Sequence, residues 1–105
     1  MTRWVVLWLL VAAAEAAAQD ASAPPGKLGL CAACHGEDGR GRTADTPHIG
    51  GQNETYLRAA LEAYRDGSRR NAAMNAVAGT LGAADIEAFA RWYARRRWPA
   101  ADAPH

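Results

Sequence analysis

The chain has 105 residues, which is enough for one domain and too few for two ordinary ones. Half of its residues are hydrophobic, but only one is phenylalanine, so few large side chains are available to build a core. The formal net charge is +1, a balance that does not favour nucleic-acid binding or strong electrostatic steering. We therefore expect a single small domain whose own core gives it only marginal stability.

The first 18 residues have the pattern of a secretory signal peptide. Arg3 supplies a basic start, an apolar run of eleven residues covers Trp4–Ala14, and small residues at 16–18 form a cleavage pattern. A membrane-spanning helix needs roughly 20 apolar residues, and Glu15 ends this run earlier. An uncleaved N-terminal anchor is the alternative. We expect export to the periplasm, with cleavage near Ala18.

The rest of the chain shows helical periodicity, and no segment has the alternation expected of a strand. We predict a flexible lead-in at 19–26, an all-α domain at 27–98 and a C-terminal tail at 99–105. Glycines and one proline are concentrated at 36–52, as in a wrapped loop. The expected helical elements are a first helix at 26–34, a second between an Asn53 N-cap and Gly67, a loop or short helix at 68–79, and a last helix at 83–97.

Two cysteines separated by two residues are followed at once by a histidine, in Cys31-Ala32-Ala33-Cys34-His35. Two thiols at this spacing can each form a thioether with one vinyl group of the same porphyrin, which is the attachment signature of c-type haem. A structural zinc site would need a second pair of ligands, a redox dithiol is expected in a βαβ setting, and a plain disulfide leaves the histidine without a role. The motif predicts one covalently bound haem c, held by Cys31 and Cys34, with His35 as an axial iron ligand.

The second axial ligand is expected from a distant part of the chain, and three residues are candidates. Met74 is the only methionine left once the leader is removed, and it lies between two predicted helices. His48 follows Pro47 in the first loop, on the part of the chain next to His35, and His105 is the terminal residue. We favour Met74.

With these residues in place, the chain resembles the class I c-type cytochromes, especially the small bacterial periplasmic electron carriers. The resemblance covers roughly residues 27–95, and the haem-attachment motif is its specific part. The weaker matching positions are Gly36, Pro47-His48-Ile49-Gly50-Gly51-Gln52, Tyr56-Leu57, Leu61, Tyr64, Gly67, Arg69, Met74, Leu81, Asp85-Ile86 and Trp92-Tyr93-Ala94.

The resemblance implies a cytochrome c fold, with three main helices and loops wrapped around one haem. It also implies that the carbonyl of Pro47 accepts the second ring hydrogen of His35 and that Met74 is the distal thioether ligand. Gly82 departs from the pattern, since relatives often have Ser or Thr at the start of the last helix, so the cap is either Thr80 or absent.

Ligation by histidine and methionine leaves no open site on the iron and raises the reduction potential relative to two nitrogen ligands. We therefore predict single-electron transfer by Fe(III)/Fe(II) cycling, without enzymatic activity, between redox proteins whose identity the sequence does not indicate. Transient docking on a membrane complex is compatible with this role. The alternatives are a haem subunit of a larger dehydrogenase or sulfur-oxidising complex, and a gas-binding module.

Overall fold

A computed structural model describes residues 23–97 of the chain. Within this range the regular structure is entirely helical, which confirms the all-α prediction. The leader at 1–18, the first half of the lead-in (19–22) and the tail at 99–105 lie outside the described residues, so those limits stay predictions. The helices are α1 at Leu28–His35, α2 at Glu54–Asp66, α3 at Ala72–Ala78 and α4 at Ala83–Ala94.

The second helix begins and ends where the sequence predicts. The side-chain oxygen of Asn53 accepts a hydrogen bond from the Tyr56 amide at 2.9 Å, which satisfies one free donor of the first turn. Gly67 ends the helix in the left-handed conformation, at φ 85°, where glycine has no Cβ penalty.

The segment at 68–79, predicted as a loop or short helix, contains α3. Asn71 caps this helix by accepting a hydrogen bond from the Met74 amide at 3.0 Å. The side-chain amide of Asn75 donates to the carbonyl oxygens of Tyr64 and Arg69, at 2.8 and 2.9 Å. These bonds join α3 to the end of α2, and they fix the position of Met74 relative to that helix.

The last helix is shorter than predicted and differs in its cap. It ends at Ala94 rather than at residue 97. At its start, the Asp85 carboxylate accepts from the backbone amide of Gly82 and from the Lys27 ammonium, each at 3.0 Å. Thr80 is not the cap, because its hydroxyl donates to the carbonyl oxygen of Val77. These two contacts hold the pKa of Asp85 below its usual value and tie the start of α4 to the start of α1.

The core lies between α2 and α4, with α1 packed at one side. Phe89 and Ile86 of α4 are each 1% exposed. The other buried hydrophobic residues are Leu28, Cys31, Leu57, Ala78, Leu81, Ala90 and Tyr93.

Hydrogen bonds from α4 tie it to the segments that follow α1. The Tyr93 hydroxyl donates to the carbonyl oxygen of Gly36 at 2.8 Å, and the Trp92 indole donates to that of Glu37 at 3.1 Å. The Gly51 amide donates to the Tyr93 carbonyl at 2.8 Å. α4 is therefore hydrogen-bonded to both ends of the loop at residues 36–52, which we call the glycine-rich loop.

We expect Tyr93→Phe to lower the free energy of unfolding by about 1–3 kcal/mol, because the buried carbonyl of Gly36 loses its donor. The variant should also lose less folding stability than the wild type when the pH is raised above about 10. Burial raises the pKa of Tyr93, whereas a tyrosine in the unfolded chain ionises near pH 10. The wild-type protein therefore loses stability above about pH 10, because only the unfolded state releases this proton there.

Urea unfolding of the holoprotein between pH 7 and 11 measures both effects. Tyr56→Phe is the control, since Tyr56 is 51% exposed. Removing its hydroxyl leaves no buried carbonyl without a donor. Equal stability of Tyr93→Phe and wild type at pH 7, with parallel losses above pH 10, would contradict this account.

Candidate functional site

A cleft lies between α1, the glycine-rich loop and the other three helices. It encloses about 810 Å³ that no protein atom fills, including space open to solvent. Most of its wall is apolar or aromatic. The lining residues are Cys31, His35, Pro47, His48, Ile49, Gln52, Tyr56, Leu57, Ala60, Leu61, Tyr64, Arg69, Met74, Phe89 and Tyr93.

His35, at the end of α1, is buried in the wall of this cleft. Its Nδ1 lies 2.9 Å from the carbonyl oxygen of Pro47. Because a carbonyl can only accept, Nδ1 carries the proton and donates, and Nε2 of the neutral ring keeps its lone pair. Such a bond fixes the tautomer and the orientation of an imidazole and raises its basicity as a metal ligand.

The loop that carries Pro47 is held by backbone hydrogen bonds across its base. The amides of Ile49 and Gly50 both donate to the carbonyl oxygen of Gly39, at 2.7 and 3.1 Å. Gly39 has φ 80°, and a Cβ at this position would overlap the backbone of Gly50. Gly41 donates its amide to Nδ1 of His48 at 3.0 Å. This close backbone packing determines where the Pro47 carbonyl lies.

The two cysteines are in different environments, one helical turn apart on α1. Cys31 is buried and lines the cleft, whereas Cys34 is exposed and is not among the lining residues. Burial raises the pKa of the Cys31 thiol to about 11, so before the haem is attached this group is protonated at neutral pH.

Of the three candidates for a second ligand, two line the cleft. Met74 is half-buried on α3, a helix that belongs to a different part of the chain from His35. His48 directly follows the residue that accepts the His35 hydrogen bond, and its Nδ1 already accepts from Gly41. His105 lies outside the described residues. The fold thus brings His35 and Met74 to one cleft from two separate elements.

Several cleft residues were not assigned to the site from sequence. In the sequence, Tyr56, Tyr64 and Arg69 stand out only as positions that match the resemblance, and Ala60 only through its helical spacing. The signal was the i, i+4, i+8 spacing of residues 56, 60 and 64, which puts two rings and a small residue on one side of α2. A helix face with a gap between two aromatic rings is suited to packing against a flat group.

The residues of the cleft, together with Cys34 next to it on α1, fit a covalently held haem. Two thiols three positions apart on one helix lie on neighbouring points of the same face. His35, whose tautomer is fixed, follows them, and the Met74 thioether is a second possible iron ligand. The rest of the wall is mostly apolar. Within residues 23–97, no three His, Cys, Asp or Glu side chains gather into another metal site. In the same range, no helix is long and apolar enough to span a bilayer.

The fold and this donor set define a small helical protein of the c-type haem class. The cytochrome c family model matches residues 27–96, and the chain belongs to the cytochrome c family. Since it contains a single Cys-x-x-Cys-His motif, it holds one covalently bound haem c. It is a monohaem electron carrier and not an enzyme.

Three relatives show how far the similarity extends. Cytochrome c-554(548) of Halomonas halodenitrificans is 46% identical over 79 residues, which cover 72% of this chain and 95% of that protein. The thiosulfate dehydrogenase electron acceptor of Thiomonas intermedia is 39% identical over 80% of this chain and 39% of its own length. Cytochrome c4 of Pseudomonas aeruginosa is 33% identical over 77% of this chain and 40% of its own. The chain therefore spans about two fifths of the two longer relatives.

Proposed function

We propose that Cys31 and Cys34 hold the haem through thioethers and that His35 and Met74 are its axial ligands. The observation that carries this proposal is the hydrogen bond from His35 Nδ1 to Pro47, which leaves Nε2 as the coordinating atom, in a cleft that Met74 also lines.

When bound, the haem supplies a one-electron Fe(III)/Fe(II) couple. The chain's residues determine how that couple behaves. Pro47 keeps the His35 ring in one orientation, and the Met74 thioether favours the reduced state over a second nitrogen ligand. The apolar wall around Leu57, Leu61 and Phe89 excludes water, so that few solvent dipoles need to reorient when the charge changes. Together these features support rapid transfer of single electrons without chemistry on a substrate.

We further propose that the chain is exported to the periplasm. Residues 1–18 act as the signal peptide, 19–26 as a flexible lead-in, 27–98 as the haem domain and 99–105 as a tail. The partners are redox proteins, and the proposed role is that of a freely diffusing carrier. One relative is named as the electron acceptor of thiosulfate dehydrogenase, which favours a sulfur-compound dehydrogenase as electron donor. The second candidate is a haem subunit of such an enzyme.

Purification after periplasmic expression with the haem-maturation machinery tests this proposal. We expect a mature N-terminus near Gln19 and the native mass of a monomer. Stable copurification with a dehydrogenase at high ionic strength would favour the subunit role. An N-terminus at Met1 in the purified protein would contradict cleavage.

A further inference from the structure

A second groove lies beside α4 and shares no lining residue with the cleft. It is bounded by the start of the glycine-rich loop and by the end of α4. Trp92 lines the groove, whereas Tyr93, the next residue of α4, lines the cleft, so the end of this helix lies between the two. The residues that line the groove are Glu37, Asp38, Trp92, Arg95, Arg96 and Arg97.

The groove holds an aromatic ring and a cation in fixed positions. The half-buried Trp92 indole donates to the carbonyl oxygen of Glu37 at 3.1 Å, and the Arg96 guanidinium lies 3.6 Å from the centre of the Trp92 ring. Nε of Arg96 is shielded from solvent and has no hydrogen-bond partner among residues 23–97. A cation–π contact stabilises a cation without using its N–H donors. The stack therefore positions Arg96 but leaves its donors unused.

Stabilisation of the helix end does not account for this arrangement. Cations are favoured at a helix C-terminus by its dipole, and they can donate to the last free carbonyls. Here backbone amides already take the carbonyls of Arg91 and Tyr93. Within the described part of the chain, the Arg96 and Arg97 guanidinium groups make no hydrogen bond or ion pair. Arg97 is exposed as well, so both cations are available to a group from outside the chain.

The charges around the groove favour a protein over a membrane as its occupant. Glu37 and Asp38 line the same groove as the arginines. A flat layer of anionic lipids would meet these carboxylates as well as the cations. A protein can place its own acidic side chains opposite the arginines alone. Tryptophan and arginine are also the residue types that contribute most to the stability of protein–protein interfaces.

We propose that this groove is a docking surface for an acidic region of a redox protein, with Trp92 at its centre and the arginines around it. The inference rests on the proposed function, because it names the chemistry of the carrier's partner. Trp92 bonds to Glu37, which follows the proposed iron ligand His35 by two residues. A partner seated here would therefore lie against the chain segment that leaves the His35 side of the haem.

The test measures the rate at which flavodoxin hydroquinone, an acidic one-electron donor, reduces the ferric holoprotein in a stopped-flow instrument. The variants are R97E and R96E, with R65E as the matched control. Arg65 is exposed in the last turn of α2 and lines neither the groove nor the cleft. All three variants change the net charge equally. We expect R97E and R96E to lower the second-order rate constant about fivefold more than R65E, the effect of one lost ion pair in water.

The difference should disappear at high salt, where exposed charges are screened, and the midpoint potentials of the variants should stay close to that of wild type. Equal rate constants for R97E and R65E would overturn the inference and leave the proposed function intact. So would loss of binding to phosphatidylglycerol vesicles in R97E at an unchanged rate with flavodoxin, which would assign the groove to a membrane. If R96E does not accumulate, R97E against R65E decides the question. Absence of covalent haem from the wild-type protein would instead contradict the proposed function.

Discussion

Met74→Ala is expected to convert a six-coordinate carrier into a protein with an open iron site. Without the thioether, the ferric spectrum should lose its weak charge-transfer band from iron–sulfur bonding, and the ferrous form should bind carbon monoxide. The potential should fall, because the thioether is the ligand that favours the reduced iron. Truncation of this half-buried side chain should also lower the free energy of unfolding by about 2 kcal/mol or more. Optical spectra with and without carbon monoxide, followed by urea unfolding, measure each effect.

Two control variants separate ligation from packing. Val77→Ala truncates another half-buried side chain of α3 and should leave the band and the carbon monoxide response unchanged. His48→Ala removes the other described candidate, which lines the same cleft, and should also preserve the band. If His48→Ala abolished six-coordination and Met74→Ala did not, the ligand assignment would be wrong.

Gly39→Ala is expected to cost about 3 kcal/mol or more of folding free energy. An alanine at φ 80° carries a left-handed penalty of about 1–2 kcal/mol. Its Cβ would also overlap the backbone of Gly50, which has no flexible side chain to move aside. Relieving that overlap displaces the loop whose amides bond to the Gly39 carbonyl, and with it Pro47. For a domain of this size such a loss lowers the melting temperature by more than about 10 °C.

Gly67→Ala is the matched control for this effect. Gly67 has φ 85°, almost the same backbone strain, but a Cβ there meets no atom within 4 Å. Its substitution should therefore cost only the left-handed penalty of about 1–2 kcal/mol. Thermal unfolding of the two variant holoproteins measures the difference between their losses of stability. That difference is the cost of the close approach between residues 39 and 50. Equal losses in the two variants would show that the loop can move without cost.

Local signals in the sequence are sufficient to predict the helical architecture and both ends of α2. Asn53 and Gly67 bound α2 as expected, because an N-cap side chain and a left-handed glycine act through their own neighbouring residues. The Cys-x-x-Cys-His motif is equally local, since one helical turn contains the whole attachment chemistry. These features depend on few distant contacts.

Features that depend on tertiary contacts were predicted less well. The last helix was expected to reach residue 97, but it ends at Ala94, and the Arg96 guanidinium turns back to lie 3.6 Å from the centre of the Trp92 ring. That ring is itself oriented by its hydrogen bond to Glu37, 55 residues away. The sequence does not distinguish a loop from a short helix at 68–79, because the position of α3 depends on the bond from Asn75 to the end of α2.

The surroundings of Arg69 could not be predicted for the same reason. The Arg69 guanidinium lies 4.9 Å from the centre of the Tyr64 ring. Sequence spacing alone does not show which of the two adjacent arginines, Arg69 or Arg70, takes this position, and the choice depends on how the chain turns after Gly67. The Pro47 carbonyl is a comparable case. The resemblance to known cytochromes implied its role, but its 2.9 Å contact with His35 depends on the packing of the glycine-rich loop.

Peptide mapping of the holoprotein tests the central claim most directly. Cleavage after Lys27 and Arg40 with trypsin releases the peptide 28–40, which contains both cysteines and His35. We predict that this peptide alone carries the mass of one haem, absorbs in the haem Soret region and yields no free thiol to alkylation. Recovery of peptide 28–40 with two free thiols or an internal disulfide, from protein matured with haem, would contradict the account.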